Sequence, residues 1–416
     1  MFRGKVLSIF TLILSTLFAI CGRATAQQEK VLYSFPPSGY GGWGPEDSLV
    51  FDGNGNLYAT AAYGGPLNVG TVFELTPTTS GAWTGTTLHT FGYLPDGQTP
   101  GSGLFVDFSG NVYGTTPFGG AFGGIEGYGM AFELTPATGG TWTETVLHNF
   151  GSSSTDGQNP GGPFISDAAG NLYGTTGGGG PTGAGTVFLL APKAGGGRIE
   201  KIIYSASSTG IGGIVFDSSG NLYGVEGYSF GEVFKLTPNG DGSWRHETLF
   251  TFNRTDGSEP SGSLAVDTEG NLYGETYYGG TGTACQYNCG LVFELVRGSD
   301  GRYTEKILHN FVNGADGAGP RGSVILDAAG NLYGVTYTGG NGTNCVNYLG
   351  QGCGTVFELS PTANGWREKI LHAFNFDGID GAEPYAGLIF DRAGNLYGTT
   401  YAGGENYGGT VFEITP

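Results

Sequence analysis

The chain has 416 residues, of which 83 are glycine, and 13% of the residues are aromatic. Aspartate and glutamate (36) outnumber lysine and arginine (17), which gives a formal net charge of −19 at pH 7. This charge disfavours binding to nucleic acid or to an anionic membrane surface. The aromatic content is too high for a disordered chain, so we interpret the glycines as turn residues between short apolar segments.

Residues 1–26 have the features of a secretory signal peptide. Two basic residues precede an apolar run from Val6 to Ile20, and Ala24-Thr25-Ala26 provides a small-residue cleavage site. About fifteen apolar residues are too few for a typical membrane-spanning helix. We therefore expect a secreted or periplasmic protein without a membrane span, in which residues 27–416 form a single domain.

A motif of the form Asp-x-x-Gly-Asn-Leu/Val-Tyr recurs along the rest of the chain. Its asparagine occurs seven times, as Asn56, Asn111, Asn171, Asn221, Asn271, Asn331 and Asn395. A repeat of about 50 to 65 residues is one supersecondary unit, which buries its apolar faces only by packing against its neighbours. The sequence therefore predicts a repeat architecture.

Each unit contains four short segments typical of β-strands. In one unit they are Ser323–Asp327, Asn331–Thr336, Thr355–Leu359 and Glu368–Phe374. The segments are rich in Val, Ile, Tyr and Phe and are bounded by Gly, Pro and Asp, as strands are. Helical periodicity is absent after the signal segment, which indicates an all-β protein.

The two ends of the chain share one unit. A lone fourth segment, Lys30–Phe35, comes first, and a third segment, Val411–Ile414, comes last. Pairing these two segments would join the termini within one sheet and leave no unpaired edge in the ring. We therefore predict a seven-bladed β-propeller with four-stranded blades, in which the N-terminal strand pairs with the C-terminal strand. A linear β-solenoid is the alternative, but it would not explain the divided unit.

The two faces of such a propeller differ in their loops. We call upper face the side that carries the connections from the fourth to the first strand and from the second to the third strand. The Asp-x-x-Gly-Asn hairpins lie on the lower face and have a constant length, whereas the upper loops vary widely. Length variation on one face is typical of a binding surface.

Aromatic side chains are expected on this upper face. They are Tyr63, Phe118, Tyr228, Tyr277, Tyr278, Tyr337, Tyr348 and Tyr401. Rings beside carboxylates and amides commonly build sugar-binding surfaces, although the same rings could instead pack between neighbouring units. The upper loop that contains Tyr228 is the shortest, which predicts a groove there.

An Asp-Gly-x-x-Pro element also recurs on the upper face. Its aspartates are Asp96, Asp156, Asp256, Asp316 and Asp380. Turn formation is the favoured role, and a ring of carboxylates that binds cations is the alternative. The lower hairpin, as in Asp52–Asn56, is interpreted as a capped turn because a calcium loop needs more carboxylates. We expect no metal or cofactor, with calcium left open.

Four cysteines lie in matching upper loops of adjacent units. An even number in an exported chain predicts disulfides, and we expect the local pairs Cys285–Cys289 and Cys345–Cys353. A cross-link between the two loops is the alternative.

Catalytic motifs are absent from the sequence. Four of the five histidines (His89, His148, His309 and His372) occupy one repeat position, Leu-His-x-Phe on the outer strand, which indicates a structural role. Charged residues of the same strands (Glu305, Lys306, Glu368 and Lys369) are expected to protect the outer edges from association. No catalytic residue is predicted.

The repeat resembles the GloVer tandem repeat of bacterial choice-of-anchor exported proteins. The resemblance is carried by Gly-Asn-Leu-Tyr-Gly-Thr-Thr at Gly394–Thr400 followed by Gly-Thr-Val-Phe-Glu-Ile-Thr-Pro at Gly409–Pro416. It implies export and tandem repeats, but no established activity. The Gly-Asn-x-Tyr turn is also similar to streptogramin lyases, whose single acid–base histidine and metal partners cannot be matched here.

The sequence therefore predicts a secreted, monomeric propeller that binds an extracellular glycan or protein through its upper face. The alternative is a propeller enzyme, a lyase or hydrolase, with a site at the mouth of the central channel. A non-repeated carboxylate or histidine beside the channel, together with a bound metal, would favour the enzyme.

Overall fold

A computed structural model describes residues 28–37, 41–227, 230–342, 345 and 352–416. These residues form 32 β-strands and no helix. The predicted signal segment (residues 1–26), Tyr228 and Tyr348 lie outside them. Seven sheets of four or five strands follow one another along the chain, so the predicted seven-bladed propeller is confirmed.

The first half of the chain forms the outer strand of the last blade and three complete blades. It begins with β1 (Gln28–Ser34). Blade I contains β2 (Val50–Phe51), β3 (Leu57–Ala61), β4 (Thr71–Pro77) and β5 (Trp83–Thr90). Blade II contains β7 (Phe105–Val106), β8 (Val112–Thr116), β10 (Met130–Pro136) and β11 (Trp142–Asn149), with a small upper ladder of β6 (Gly97–Gln98) and β9 (Phe118–Gly119). Blade III contains β12 (Gly157–Ser166), β13 (Leu172–Gly179), β14 (Thr186–Pro192) and β15 (Arg198–Ser205).

The second half supplies the remaining blades. Blade IV contains β16 (Ile211–Phe216), β17 (Leu222–Glu226), β18 (Glu232–Pro238) and β19 (Trp244–Thr251). Blade V contains β20 (Ser258–Val266), β21 (Leu272–Tyr278), β22 (Leu291–Arg297) and β23 (Tyr303–Asn310). Blade VI contains β24 (Ala318–Pro320), β25 (Ile325–Leu326), β26 (Leu332–Thr338), β27 (Thr355–Thr362) and β28 (Gly365–Ala373). Blade VII contains β29 (Gly381–Pro384), β30 (Ile389–Phe390), β31 (Leu396–Gly403) and β32 (Thr410–Thr415).

The ring is closed by the two ends of the chain. Strand β1 pairs antiparallel with β32, and Val31 lies opposite Phe412 in this register. The Phe35 ring, fully buried just after β1, packs edge-to-face on Phe73 of blade I at 4.9 Å. The N-terminal strand is therefore the outer strand of blade VII, as predicted.

The hydrophobic core is divided among the junctions between blades. Seven clusters of buried side chains each join one blade to the next. In the junction of blades II and III, Phe150 packs edge-to-face against Phe188 at 5.0 Å. Each blade thus buries its apolar faces against two neighbours, which is why the fold requires a complete ring.

The first strands approach one another closely around the axis. A Cβ atom on Gly262, whose φ is +68°, would lie 1.3 Å from the carbonyl oxygen of Gly322 in the next blade. Only glycine allows this separation. Glycine at this point therefore allows the first strands of blades V and VI to approach each other closely at the axis.

The Asp-x-x-Gly-Asn motif forms a capped turn on the lower face. Asp167 accepts hydrogen bonds from the backbone N–H of Ala169 (2.9 Å) and of Asn171 (3.0 Å), and from the Tyr173 hydroxyl (2.9 Å). Burial opposes ionisation of Asp167, but hydrogen bonds from Asn171 and Tyr173 outweigh it and lower its pKa. The hydrogen bond from the backbone N–H of the motif asparagine to the aspartate recurs in the other six blades. The motif therefore forms the capped turn that the sequence predicts.

The two predicted disulfides are confirmed. Cys285 is bonded to Cys289 and Cys345 to Cys353, each pair with its Cα atoms 5.2 Å apart. Within the described ranges, we find no helix long and apolar enough to cross a membrane.

The expectation that glutamates protect the outer edges is wrong. One carboxylate oxygen of both Glu305 and Glu368 is buried, because these side chains point into the junction with the preceding blade. The lysines do face solvent: the Lys306 side chain is 52% exposed and pairs with Glu294 of its own blade at 3.1 Å. At these two edges Lys306 and Lys369, and not the glutamates, face solvent.

Candidate functional site

The upper end of the channel contains a cavity of about 230 Å³. Its wall is formed by the first strands, mostly through glycine and serine, and its larger side chains are Glu46, Asp47, Pro163, Arg321 and Tyr385. Glu46, Arg321 and Tyr385 each follow a proline at the start of a first strand. The residue after this proline is glycine or serine in blades II, III and V. We call this region, with the Tyr and Glu side chains described below, the channel mouth.

Arg321 is held between two aromatic rings at the channel mouth. Its guanidinium carbon lies 3.5 Å from the ring centre of Tyr385 and 5.4 Å from that of Tyr277. Contacts of this kind fix a cation over an aromatic face without neutralising its charge. The two rings therefore fix the position of the guanidinium group in the wall of the cavity.

Three tyrosines occupy one repeat position on consecutive blades. Tyr277, Tyr337 and Tyr401 follow the second-strand Thr of blades V, VI and VII, and all three are partly exposed. At the same position blades II, III and IV have Pro117, Gly177 and Gly227. One side of the channel mouth is therefore an aromatic wall, and the opposite side is open.

Two glutamates face this wall from a strained backbone. Glu259 and Glu383 precede the proline of their units with φ values of +54° and +58°, a conformation that costs free energy for a residue other than glycine. The Tyr337 hydroxyl donates a hydrogen bond to Glu383 Oε2 (3.2 Å). Burial, followed by the charge of Glu383, raises the pKa of Tyr337, so its hydroxyl stays protonated and able to donate.

The aromatic wall continues into blade I. The Trp43 indole stacks on the Tyr63 ring at 4.3 Å with an angle of 19° between the planes. Burial, then the charges of neighbouring Tyr63 and Glu46, raises the pKa of Tyr401 to about 12. A second cavity of about 240 Å³ lies between blades IV and V, where Tyr277 and Arg321 also contribute to the wall.

Glu275 is a buried carboxyl beside the channel mouth. It stands where blades I, II, III and VII have threonine, its side chain is 1% exposed, and neither carboxylate oxygen has a hydrogen-bond partner among the described residues. Burial raises the pKa of Glu275 to about 8, although the positive charge of Arg321 opposes the shift. The group is therefore neutral at pH 7.

The structure brings some of the predicted site residues together and separates others. Tyr63, Tyr277, Tyr337 and Tyr401 meet at the channel mouth, and Tyr278 packs against Tyr277 at 4.5 Å. Phe118 lies across the ring, in β9 of blade II, and is 36% exposed. Tyr228 and Tyr348 lie outside the described residues, so the groove at Tyr228 stays a prediction.

The five aspartates of the Asp-Gly-x-x-Pro element lie apart from the tyrosines. Each accepts hydrogen bonds from the backbone of its own turn, as Asp96 does from the N–H of Gly92 (2.6 Å) and of Gly97 (2.7 Å). The corresponding bonds hold Asp156, Asp256, Asp316 and Asp380. These contacts are those of turn-forming residues, which is the role that the sequence favours.

Several residues of the channel mouth were missed from the sequence. These are Glu46, Asp47, Glu259, Glu275, Arg321, Glu383 and Tyr385. Four of them stand at positions that most units fill with a small residue or threonine: Asp47, Glu259, Glu275 and Glu383. The other three share a position that is glycine or serine in blades II, III and V. Comparing the units position by position would have found them, because a function that needs one site uses residues that are not repeated.

Comparisons with known proteins agree with the fold. Residues 13–226, 121–287 and 214–416 each match the model of the Gloeobacter/Verrucomicrobia repeat. A solved structure of a protein from Lactobacillus plantarum is 13% identical with a TM-score of 0.50, over 79% of this chain and 84% of its own. No curated protein matches the chain.

Two further solved structures are similar to the chain. One, described as an oxidoreductase (glucose dehydrogenase) from Thermus thermophilus, is 18% identical with a TM-score of 0.43, over 74% of this chain and 94% of its own. A gluconolactonase from Xanthomonas campestris is 14% identical with a TM-score of 0.41, over 74% of this chain and 86% of its own. At these identities a likeness concerns the fold and not the activity.

Proposed function

The chain belongs to the Gloeobacter/Verrucomicrobia repeat family, and we propose that this member is a secreted protein that binds neutral carbohydrate at its channel mouth. The observation that carries the proposal is the aromatic wall of Tyr277, Tyr337 and Tyr401. Blades I to IV have alanine, proline or glycine at this position, so the three rings are confined to one side of the ring.

The chemistry of the channel mouth suits a sugar ring. Aromatic faces cover the C–H groups of a pyranose, while carboxylates and a guanidinium bond its hydroxyls. Tyr337 and Glu383 already form a hydrogen-bonded pair, and Arg321 offers fixed N–H donors. The site therefore has both an apolar surface and polar groups at its margin.

The charges of the site favour a neutral ligand. Glu46 and Glu259 lie near Arg321, and the whole chain carries a net charge of −19. An anionic glycan would be repelled at this net charge. Export is supported by the two disulfides, which form and persist in oxidising compartments.

The enzyme alternative has two non-repeated carboxyls near the channel, Glu275 and Asp47. Burial raises the pKa of Glu275 to about 8 and that of Asp47 to about 7, which is the direction that a general acid needs. Glu275 is 1% exposed and lines neither cavity, whereas Asp47 lies in the wall of the channel cavity. Asp47 is therefore the residue on which the enzyme alternative depends.

A glycan array tests the proposal. Residues 27–416 should bind neutral oligosaccharides, and Tyr337→Ala should weaken the binding of a positive glycan about tenfold or more in a calorimetric titration, the scale of a lost aromatic contact. Tyr93→Ala is the matched control, because Tyr93 is 65% exposed on an upper loop away from the channel mouth.

Three outcomes would contradict the proposal. An array without positive glycans would leave protein partners as the leading version. Equal binding by the Tyr337→Ala variant would move the site elsewhere on the surface. Cleavage of a bound glycan would establish the lyase or hydrolase alternative.

A further inference from the structure

Four junctions between blades contain a cluster of histidine, aspartate and glutamate, which we call a junction triad. The triads are His89/Asp96/Glu144, His148/Asp156/Glu200, His309/Asp316/Glu368 and His372/Asp380/Glu29. In each, one ligand atom from each residue lies within 4.8 Å of the others. Histidine and two carboxylates at such distances form a donor set for a transition-metal ion.

Each triad is assembled from two blades. The histidine lies near the end of a fourth strand, as His148 does opposite Ala131, and the aspartate follows in the turn to the next first strand. The glutamate comes from the fourth strand of the next blade, as Glu200 does opposite Leu190. A bound ion would therefore link neighbouring blades near the perimeter of the ring.

In two triads the histidine nitrogen lies close to both carboxylates. His148 Nε2 lies 3.2 Å from Asp156 Oδ2 and 3.5 Å from Glu200 Oε2. The triad at His309 is similar, with Nε2 at 3.5 Å from Asp316 and 3.4 Å from Glu368. A tetrahedral zinc ion with bonds of about 2.0 to 2.2 Å holds its ligand atoms about 3.3 to 3.5 Å apart, which is close to the spacing in these two triads. In the other two, His89 Nε2 lies 3.8 Å from Glu144 and His372 Nε2 lies 3.0 Å from Asp380.

Protein hydrogen bonds leave part of these donor sets without a partner. His148 and His372 each share a hydrogen bond between Nε2 and the aspartate of their triad, but one Nε2 carries at most one proton and cannot serve the glutamate as well. Among the described residues, no hydrogen-bond partner is found for buried Nε2 of His89 and His309, or for one buried oxygen of each of the glutamates Glu29, Glu144, Glu200 and Glu368. The Asp156 side chain is 2% exposed, so its carboxylate is shielded from bulk solvent.

The other three junctions provide an internal comparison. Where tyrosine replaces histidine, the glutamate is replaced too: Tyr204 stacks on His246 at 4.5 Å, and Tyr33 covers Gly85, where a Cβ atom would lie 2.8 Å from its ring. The remaining junction keeps Glu305 near Asp256 but has phenylalanine at the histidine position. Histidine is thus always accompanied by glutamate, which indicates that the two residues act together.

We propose that the four junction triads bind divalent cations of the zinc class. Each ion takes the histidine Nε2, one aspartate oxygen and one glutamate oxygen, and water completes a tetrahedron. A nitrogen ligand and only two carboxylates favour zinc over calcium, which takes six or more oxygens. The ions are structural and connect blades I to II, II to III, V to VI and VI to VII.

Zinc stoichiometry tests the proposal. Residues 27–416, exported so that the disulfides form and freed of any histidine tag, are treated with a chelator and titrated with zinc chloride by calorimetry and elemental analysis. We expect four zinc ions per chain and a higher Tm, because an ion that binds the folded state stabilises it. Calcium chloride at the same concentration should not compete.

Two variants assign the ions to the triads. His148→Phe should bind three ions instead of four, and the scaffold should accept it because blade IV has Phe250 at this position. His246→Phe is the matched control and should still bind four, since His246 stacks on Tyr204 outside the triads. If His148→Phe fails to fold, Glu200→Gln provides the same comparison.

The proposal is overturned by any of three results. These are no zinc bound to the chelator-treated protein, an unchanged number of ions in the folded His148→Phe and Glu200→Gln variants, and displacement of zinc by calcium.

Discussion

At the residue scale, carboxyl groups in this chain have two opposite environments. The turn aspartates, such as Asp167, accept several hydrogen bonds that hold the pKa low despite partial burial. Glu275 is buried without such bonds, and its pKa rises to about 8. The first kind stabilises the fold when it is ionised, and the second kind destabilises the fold when it is ionised.

Replacing Glu275 should therefore change how stability depends on pH. Its folded-state pKa of about 8 exceeds the ordinary 4.5. The stability that protonated Glu275 gives to the folded state is therefore complete below about pH 4.5 and is lost as the pH rises through about 8. Arg321 is the charged group that faces it. Glu275→Gln should unfold at a higher temperature than the original protein at pH 9 and at a similar temperature at pH 4.

Thermal unfolding at pH 4, 6.5 and 9 measures this difference. Glu126→Gln, a change at an exposed glutamate, is the control and should leave the profile unchanged. A Glu275→Gln variant that is less stable at every pH would show that the carboxylate has a partner, contrary to the structure.

The residue scale also shows where sequence reasoning was limited. The role of Asp167 was predictable because all its partners lie within six residues of it. The partnership of His148 with Glu200 was not, because the two residues are separated by most of a repeat unit. Their contact depends on the register of two strands in different blades.

At the element scale, that register is set by a bulge in the fourth strand. In β11, Glu144 lies opposite Leu134 and His148 opposite Ala131, with a register shift between Ala131 and Phe132. Strict alternation would place Glu144 and His148 on the same face of the strand, whereas the extra residue turns the histidine to the opposite face. The glutamate therefore serves the preceding junction and the histidine the following one, which explains why the glutamates were wrongly expected at an exposed edge.

The closing strand is the element on which the ring depends. Deleting residues 27–35 from a chain of residues 27–416 should expose β32 as an edge and remove Phe35 from the last junction. We expect a loss of at least about 5 kcal/mol of stability, the scale of an Ala substitution at Phe35 plus the lost ladder, and aggregation through the open edge.

Size-exclusion chromatography and thermal unfolding of the truncated chain measure this effect. The control is the chain that begins at Gln27, which retains β1. A truncated chain that remained monomeric with an unchanged Tm would contradict closure by β1.

At the scale of the whole molecule, repeated and non-repeated residues have different tasks. The repeated ones, such as the turn aspartates and the buried Phe rings, build the ring and were predictable from the periodic sequence. The channel mouth consists instead of residues that break the pattern, among them Glu275, Arg321 and Tyr385. The sequence could not show that these side chains lie close together. That conclusion needs the distances between side chains of blades V, VI and VII, which only the structure gives.

The proposal of carbohydrate binding at the channel mouth is tested most directly by locating a bound ligand. Hydroxyl-radical footprinting of residues 27–416, with and without a neutral oligosaccharide that is positive in the array, reports the solvent access of each tyrosine. We predict that the ligand protects Tyr277, Tyr337 and Tyr401 and leaves exposed Tyr93 and Tyr407 unchanged. Protection of Tyr93 or Tyr407 without protection of the aromatic wall would contradict the account.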